Sequence, residues 1–127
     1  MSEFTEVKTE ELSGEALNWA VAIAENLTAF VSPPQYGNPH LVCVMPEHVH
    51  RGGYRYSPST DWSQVGPLIE KHQVCTGWAG DKPLAFTRNA KYSEGVKVAP
   101  TLLIAACLEI VASVLGETVS VPKELLS

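Results

Sequence analysis

The chain contains few charged residues and no cluster of basic ones. Charged residues make up 18% of its 127 positions, and the formal net charge is -5 with a pI near 5.3. Proteins that bind nucleic acid usually carry a basic face or stripe. The composition therefore argues against direct DNA binding and against a general affinity for an anionic membrane surface.

A long apolar stretch and a basic leader are also lacking. The longest apolar run, 102–115, is interrupted by Glu109 and has the length of a buried core helix rather than of a membrane span. The chain opens with Met-Ser-Glu-Phe, which does not resemble the basic start of a signal peptide. Its cysteines, Cys43, Cys75 and Cys107, form no C-x-x-C pair and fit a reducing compartment. We therefore expect a soluble, intracellular protein.

Familiar catalytic and metal-binding motifs are missing as well. The sequence has no G-x-S-x-G, no S-x-x-K and no glycine-rich phosphate loop. Asp61 and Glu70 could form an acid–base pair. The simpler interpretation is that Asp61 caps a helical turn and that Glu70 is a solvated helix residue. The histidines at 40, 48 and 50 lie near Cys43 without matching a zinc motif, and surface positions explain them more simply. We expect no metal, no cofactor and no enzymatic activity.

The remaining composition, 45% hydrophobic, is sufficient for the core of one domain. Two main helices are predicted, one from Ser13 to about Leu27 and one over 102–115 with Thr101 as its cap and Gly116 as its end. A helical turn at 61–64 and a short helix from Pro67 are predicted between them. Strands are predicted over 41–45, 54–56, 74–78 and 84–87. The fold class is α+β, with two main helices packed on a small, mostly antiparallel sheet.

The segment 56–67 is the strongest candidate for a functional site. It combines hydroxyl, amide and carboxyl side chains with two large aromatic residues, and Pro58 and Pro67 stiffen it. Such a stiff polar loop is typical of the wall of a small-molecule site, and its composition favours a small polar, nucleotide-like ligand. Trp78 is predicted to lie in the core, whereas Trp62 is equally compatible with core and site. The predicted ligand-binding residues are Asn18, Trp19, Arg55, Tyr56, Ser57, Ser59, Thr60, Asp61, Trp62 and Gln64.

Three segments together resemble the NinX family of phage proteins. They are 12–22 (LSGEALNWAVA), 56–70 (YSPSTDWSQVGPLIE) and the helical blocks 101–106 and 111–116 (TLLIAA and VASVLG). Their order and spacing agree with the family from residue 8 to residue 126, so that 1–127 is expected to be one NinX-like domain. The family commonly has Gly at the position of Val65 and Pro at the position of Leu102, and 28–53 matches poorly. The resemblance implies a phage origin and a place in the host cytoplasm, and it implies no particular activity.

These observations lead to two main functional hypotheses, and an enzyme that hydrolyses a nucleotide through Asp61 ranks last behind them. In the first, the chain is a non-catalytic binding protein whose ligand is a nucleotide-like molecule, such as a host defence signal that it sequesters. In the alternative, the same loop docks onto a host protein and inhibits or redirects it. Self-association is expected through the alanine-rich helix over 102–115, because alanines allow close backbone approach.

Overall fold

The computed structural model describes residues 3–34, 37, 39–45, 53–87 and 96–126. These ranges contain three α-helices: α1 (Gly14–Ala24), α2 (Trp62–Lys71) and α3 (Leu102–Leu115). Short 3-10 turns occur at Thr9–Glu11 and Lys123–Leu125. The strands are β1 (Phe4–Lys8), β2 (Ala29–Ser32), β3 (Leu41–Val44), β4 (Tyr54–Arg55), β5 (Val74–Ala79), β6 (Lys82–Thr87), β7 (Lys97–Val98) and β8 (Thr118–Pro122). The α+β class is confirmed.

The strands are divided over three small sheets, and every pairing is antiparallel. β1 pairs with β8 along its whole length, from Phe4 opposite Pro122 to Lys8 opposite Thr118. β3 lies between β2 and β4, and β6 lies between β5 and β7. The strands predicted over 41–45, 54–56, 74–78 and 84–87 are confirmed; the first two pair with each other, and the last two form a hairpin. The prediction of one sheet missed the terminal ribbon, β2 and β7.

Helix α3 is the centre of the core and packs against α1, α2 and the β5–β6–β7 sheet. The predicted cap and end are confirmed: the Thr101 hydroxyl oxygen accepts from the amide of Ile104 at 3.1 Å, and Gly116 follows with a φ of +90°. The helix alanines are buried inside the molecule, Ala105 and Ala106 completely. The expected pairing through this helix would require these alanines to be exposed to a second copy of the chain, and they are not.

The other two helices differ in detail from the predictions. α1 ends at Ala24, and the Ser13 side chain makes no capping hydrogen bond, because the helix begins at Gly14 with a φ of +55°. α2 is one continuous helix over Trp62–Lys71 rather than a turn and a second helix starting at Pro67. Asp61 caps it, and Val65 is fully buried. This burial holds α2 together across Pro67, although the proline has no amide hydrogen for the helix ladder.

Candidate functional site

The first half of the polar segment 56–67 is fixed from the protein interior. Tyr56, Ser57, Pro58 and Ser59 are all buried. Asn18 is only 1% exposed, and its side-chain oxygen accepts from the Ser59 amide at 3.1 Å and from the Ser59 hydroxyl at 2.7 Å. Buried polar groups require such partners. Asn18 and Ser59 therefore anchor the segment to α1.

The second half is fixed by Gln64 and Asp61. The Gln64 side chain accepts from the amide of Ser57 at 2.6 Å and donates to the carbonyl oxygen of Arg55 at 3.0 Å, so it links the start of α2 to the strand before it. The Asp61 carboxylate accepts from the amide and the hydroxyl of Ser63. These hydrogen bonds lower the pKa of Asp61 because they stabilise its charged form. The interpretation of Asp61 as a helix cap is confirmed.

Two other predicted site residues have structural partners elsewhere. The Trp19 indole is 7% exposed, donates to the Ser120 carbonyl oxygen at 3.3 Å and lies against the ring of Phe4. The Arg55 guanidinium forms an ion pair with Glu15 at 2.6 Å, and the other Glu15 oxygen accepts from the amide of Val42. Asn18, Trp19 and Arg55 thus hold elements together and do not line the groove described next.

Trp62 and Trp78 both line an open groove of about 530 Å³. Their side chains are 55% and 61% exposed, although each is among the largest apolar groups of the chain. Trp62 is the first residue of α2, and Trp78 lies on β5 next to the hairpin turn. The groove, called the tryptophan groove below, is lined by Ser59, Thr60, Trp62, Trp78, Asp81, Pro83, Pro100, Thr101, Leu102 and Leu103.

The prediction that Trp78 belongs to the core was wrong. Its cross-strand partner Pro83 is buried, but the pair lies at the hairpin end of the sheet, beside the first turn of α3. The indole therefore extends over the groove instead of being covered by the helix. Sequence reasoning also missed Pro100, Thr101, Leu102 and Leu103 as positions that line the groove.

The groove combines apolar walls with a few polar groups at its edge. Leu102, Leu103, Pro83 and Pro100 supply apolar surface next to the two indoles, and Ser59, Thr60 and Thr101 supply hydroxyl groups. The first amides of α3 have no partners inside the helix and carry its positive end. Among the lining residues that the structure describes, Asp81 alone is charged. The site can therefore hold a planar group by stacking and hydrogen bonds, and it repels a high negative charge.

A second cleft, of about 400 Å³, lies beside the end of α3. Lys8 and Lys97 line it together with Glu10 and Glu117, so its charges of opposite sign compensate each other. None of the described residues that line it is aromatic. This cleft offers neither a net charge nor a stacking surface, and the tryptophan groove is the better candidate site.

Metal ligands do not gather in the described part of the chain. No group of three or more His, Cys, Asp or Glu side chains is arranged to hold a metal ion there. His48 and His50 lie outside the described residues. None of the described helices has both the length and the apolar character needed to span a membrane.

Comparison with known proteins agrees with the sequence motifs. The family model described as Bacteriophage P22, NinX matches residues 8–114. No curated protein matches the chain. The matched range includes α1, the segment 56–67, both indoles of the tryptophan groove and nearly all of α3. The chain belongs to the NinX family and is a phage accessory protein.

Proposed function

We propose that this protein is a non-catalytic binding protein that holds a small, planar, nucleotide-like ligand in the tryptophan groove. The observation that carries the proposal is the exposure of Trp62 and Trp78 on one groove. Leaving two indoles more than half exposed forfeits burial of large apolar surfaces, which is unfavourable unless something covers them. A flat aromatic ligand is a suitable cover.

The dimensions and chemistry of the groove support a heterocyclic base. Its volume of about 530 Å³ lies in the range of small-molecule sites. Stacking of a base on an aromatic side chain contributes about 1–3 kcal/mol, whatever the base. The hydroxyl groups of Thr60 and Thr101 lie on the lining, where they can meet the polar edge of such a ring. The two indoles would supply affinity, and the hydroxyl groups would orient the ligand.

The charges of the groove favour a ligand with few phosphates. The amides of Leu102 and Leu103 at the start of α3 can receive one phosphate group. The Asp81 carboxylate on the same lining repels further negative charge, and no Lys or Arg is found among the described residues of the lining. Cyclic nucleotides and ADP-ribose derivatives therefore fit better than nucleoside triphosphates.

The phage family suggests what such binding would achieve. A phage protein that binds a host signalling nucleotide tightly would sequester a defence signal in the host cytoplasm. A non-catalytic role agrees with the described part of the lining, in which Asp81 is the one titratable side chain and no second acid or base lies beside it.

Calorimetric titration with a panel of cyclic nucleotides and ADP-ribose derivatives tests the proposal. We expect a dissociation constant below about 10 μM, or about 7 kcal/mol, for at least one of them. Trp62→Ala and Trp78→Ala should each weaken binding about 5- to 150-fold, the equivalent of about 1–3 kcal/mol of stacking. The control is Tyr54→Ala, because Tyr54 is 48% exposed but lies outside the groove. Absence of binding across the panel would end the proposal.

The second candidate is a docking site for a host protein. Its support is the apolar lining by Pro83, Pro100, Leu102 and Leu103, since exposed tryptophans in apolar surroundings frequently dominate protein interfaces. The acidic chain suits a partner that normally binds nucleic acid. A partner recovered at a 1:1 ratio with wild type and Tyr54→Ala, but not with Trp62→Ala or Trp78→Ala, would favour docking over small-molecule binding.

A further inference from the structure

The charge of the tryptophan groove is opposite to that of an ordinary nucleotide site. Proteins usually offset the phosphates of a nucleotide with Lys or Arg side chains. The described lining of this groove instead has one charged side chain, and it is the acid Asp81. Asp81 lies in the turn that joins β5 to β6, directly after Gly80 and close in the chain to Trp78. An acid at this place favours a positively charged group in the groove.

The Lys and Arg residues that the structure describes do not neutralise Asp81. None of the ion pairs among the described residues involves it. Lys8 and Lys97 line the second cleft. Lys82 is next to Asp81 in the chain, but it lies on the opposite face of β6 from Pro83, which lines the groove. Ion pairs with glutamates outside the groove hold the remaining ones, Arg55, Lys71 and Lys123. The carboxylate of Asp81 is therefore available to a ligand.

The two indoles provide an independent preference for positive charge. The face of an aromatic ring is the negative part of its quadrupole, and tryptophan attracts a cation over its face more strongly than tyrosine or phenylalanine does. Trp62 and Trp78 are both more than half exposed on the groove. A neutral base gains only stacking on such faces, whereas a planar cation gains stacking and electrostatic attraction. The indoles and Asp81 thus favour the same kind of group.

We infer that the tryptophan groove selects a planar, positively charged heterocycle; the inference rests on the proposed function, since it identifies the ring of the nucleotide-like ligand. Such a ring is found in oxidised nicotinamide nucleotides, as pyridinium, and in nucleotides of N7-alkylated purines. The ring stacks on Trp62 and Trp78, and the Asp81 carboxylate offsets its charge. The single phosphate of a mononucleotide meets the first amides of α3.

Calorimetric titration with two matched pairs of mononucleotides tests the inference. Oxidised nicotinamide mononucleotide is compared with its reduced form, and N7-methylguanosine monophosphate is compared with guanosine monophosphate. Only the first member of each pair has a positively charged ring. The nicotinamide pair is measured at about pH 8, where the reduced ring is stable, and the guanosine pair at about pH 6, where the methylated base is cationic; carboxylates are ionised at both values. We expect at least one charged ring to bind at least about tenfold more tightly than its neutral counterpart, and the pair that shows this preference identifies the source of the ring.

Asp81→Asn separates the charge of the groove from its shape. The variant should bind the preferred charged ligand about 3- to 10-fold more weakly. Its affinity for the neutral counterpart should stay the same or rise, because the repulsion between the carboxylate and the ligand phosphate is removed. The matched control is Glu117→Gln, which removes one negative charge from an exposed residue of the second cleft and should leave both affinities unchanged.

The outcomes distinguish this inference from the proposed function. Neutral nucleotides that bind as tightly as the charged ones would overturn the inference and leave the proposed function intact. A preference for the charged ring that Asp81→Asn leaves unchanged, or that Glu117→Gln reduces equally, would also overturn it. If neither these mononucleotides nor the panel of cyclic nucleotides and ADP-ribose derivatives bind, the inference and the proposed function fail together.

Discussion

Replacing Asn18 by alanine tests how the polar segment is held. The Asn18 oxygen accepts both the amide and the hydroxyl of Ser59, and its amide group donates to Glu15 at 3.2 Å. Alanine removes all three hydrogen bonds. It also leaves two donors of Ser59 without partners in a region where that residue is only 3% exposed.

The cost follows from those two donors. A buried polar group that loses its partner costs about 1–3 kcal/mol, so that the two orphaned donors should make Asn18→Ala lower the free energy of unfolding by about 2–6 kcal/mol. Ser59→Ala removes only the hydroxyl and its one hydrogen bond, which costs about 0.5–1.5 kcal/mol. In a double-mutant cycle, the alanine at position 18 should cost about 1 kcal/mol less in the Ser59→Ala background, because one orphaned donor is already absent.

Urea unfolding of the wild type, both single variants and the double variant measures these energies. A loss below about 1 kcal/mol for Asn18→Ala, together with additive single effects, would refute the claim that this pair anchors the segment. Ser120→Ala is a suitable control, because Ser120 is exposed and takes part in the Trp19 bond only through its backbone carbonyl.

Three further outcomes follow from the structure. Burial raises the pKa of the Cys107 thiol to about 12. A disulfide reagent at pH 8 should therefore modify the exposed Cys75 quickly in dilute protein, but Cys107 only after denaturation. Equal rates of modification of the two thiols would contradict the buried position of Cys107. Gly53→Ala should destabilise the fold by about 1–3 kcal/mol, because Gly53 has a φ of +142° and a Cβ would lie 3.0 Å from the Phe30 ring. Thermal melting measures this loss. An unchanged melting midpoint would argue against backbone strain in the alanine variant. Gln64→Leu should cost about 1–3 kcal/mol in urea, since it removes both hydrogen bonds that join the start of α2 to the preceding chain; a neutral result would show that the segment does not need this link.

The sequence was sufficient to predict the elements whose signals are local. α3 combines a long apolar run with a capping threonine and a terminating glycine, and the structure has it at the predicted bounds. The strands β3, β5 and β6 are apolar or rich in β-formers and were likewise predicted. By contrast, β1 and β8 pair across nearly the whole chain, Phe4 opposite Pro122. Each is short and half polar, and only the partner makes it a strand.

The candidate site was predicted only in part for the same reason: local sequence does not show which distant segments pack together. Composition identified 56–67 as a polar, stiff segment, but it does not show in which direction each side chain points. Ser59 turns inward to Asn18, 41 positions away in the chain, whereas Trp62 turns outward. The second indole, Trp78, comes from a strand whose sequence resembles core. The two are brought together only by the packing of α2 and the hairpin around the start of α3.

The indole N–H signals of the three tryptophans measure the central claim directly. In ¹H–¹⁵N NMR spectra, titration with a cyclic nucleotide or an ADP-ribose derivative should shift the Trp62 and Trp78 signals together, with one dissociation constant. The Trp19 signal should stay in place, because that indole is buried and bonded to Ser120. If no ligand of the panel moves either groove signal, or if all three tryptophan signals shift alike, the tryptophan groove is not the binding site that we propose.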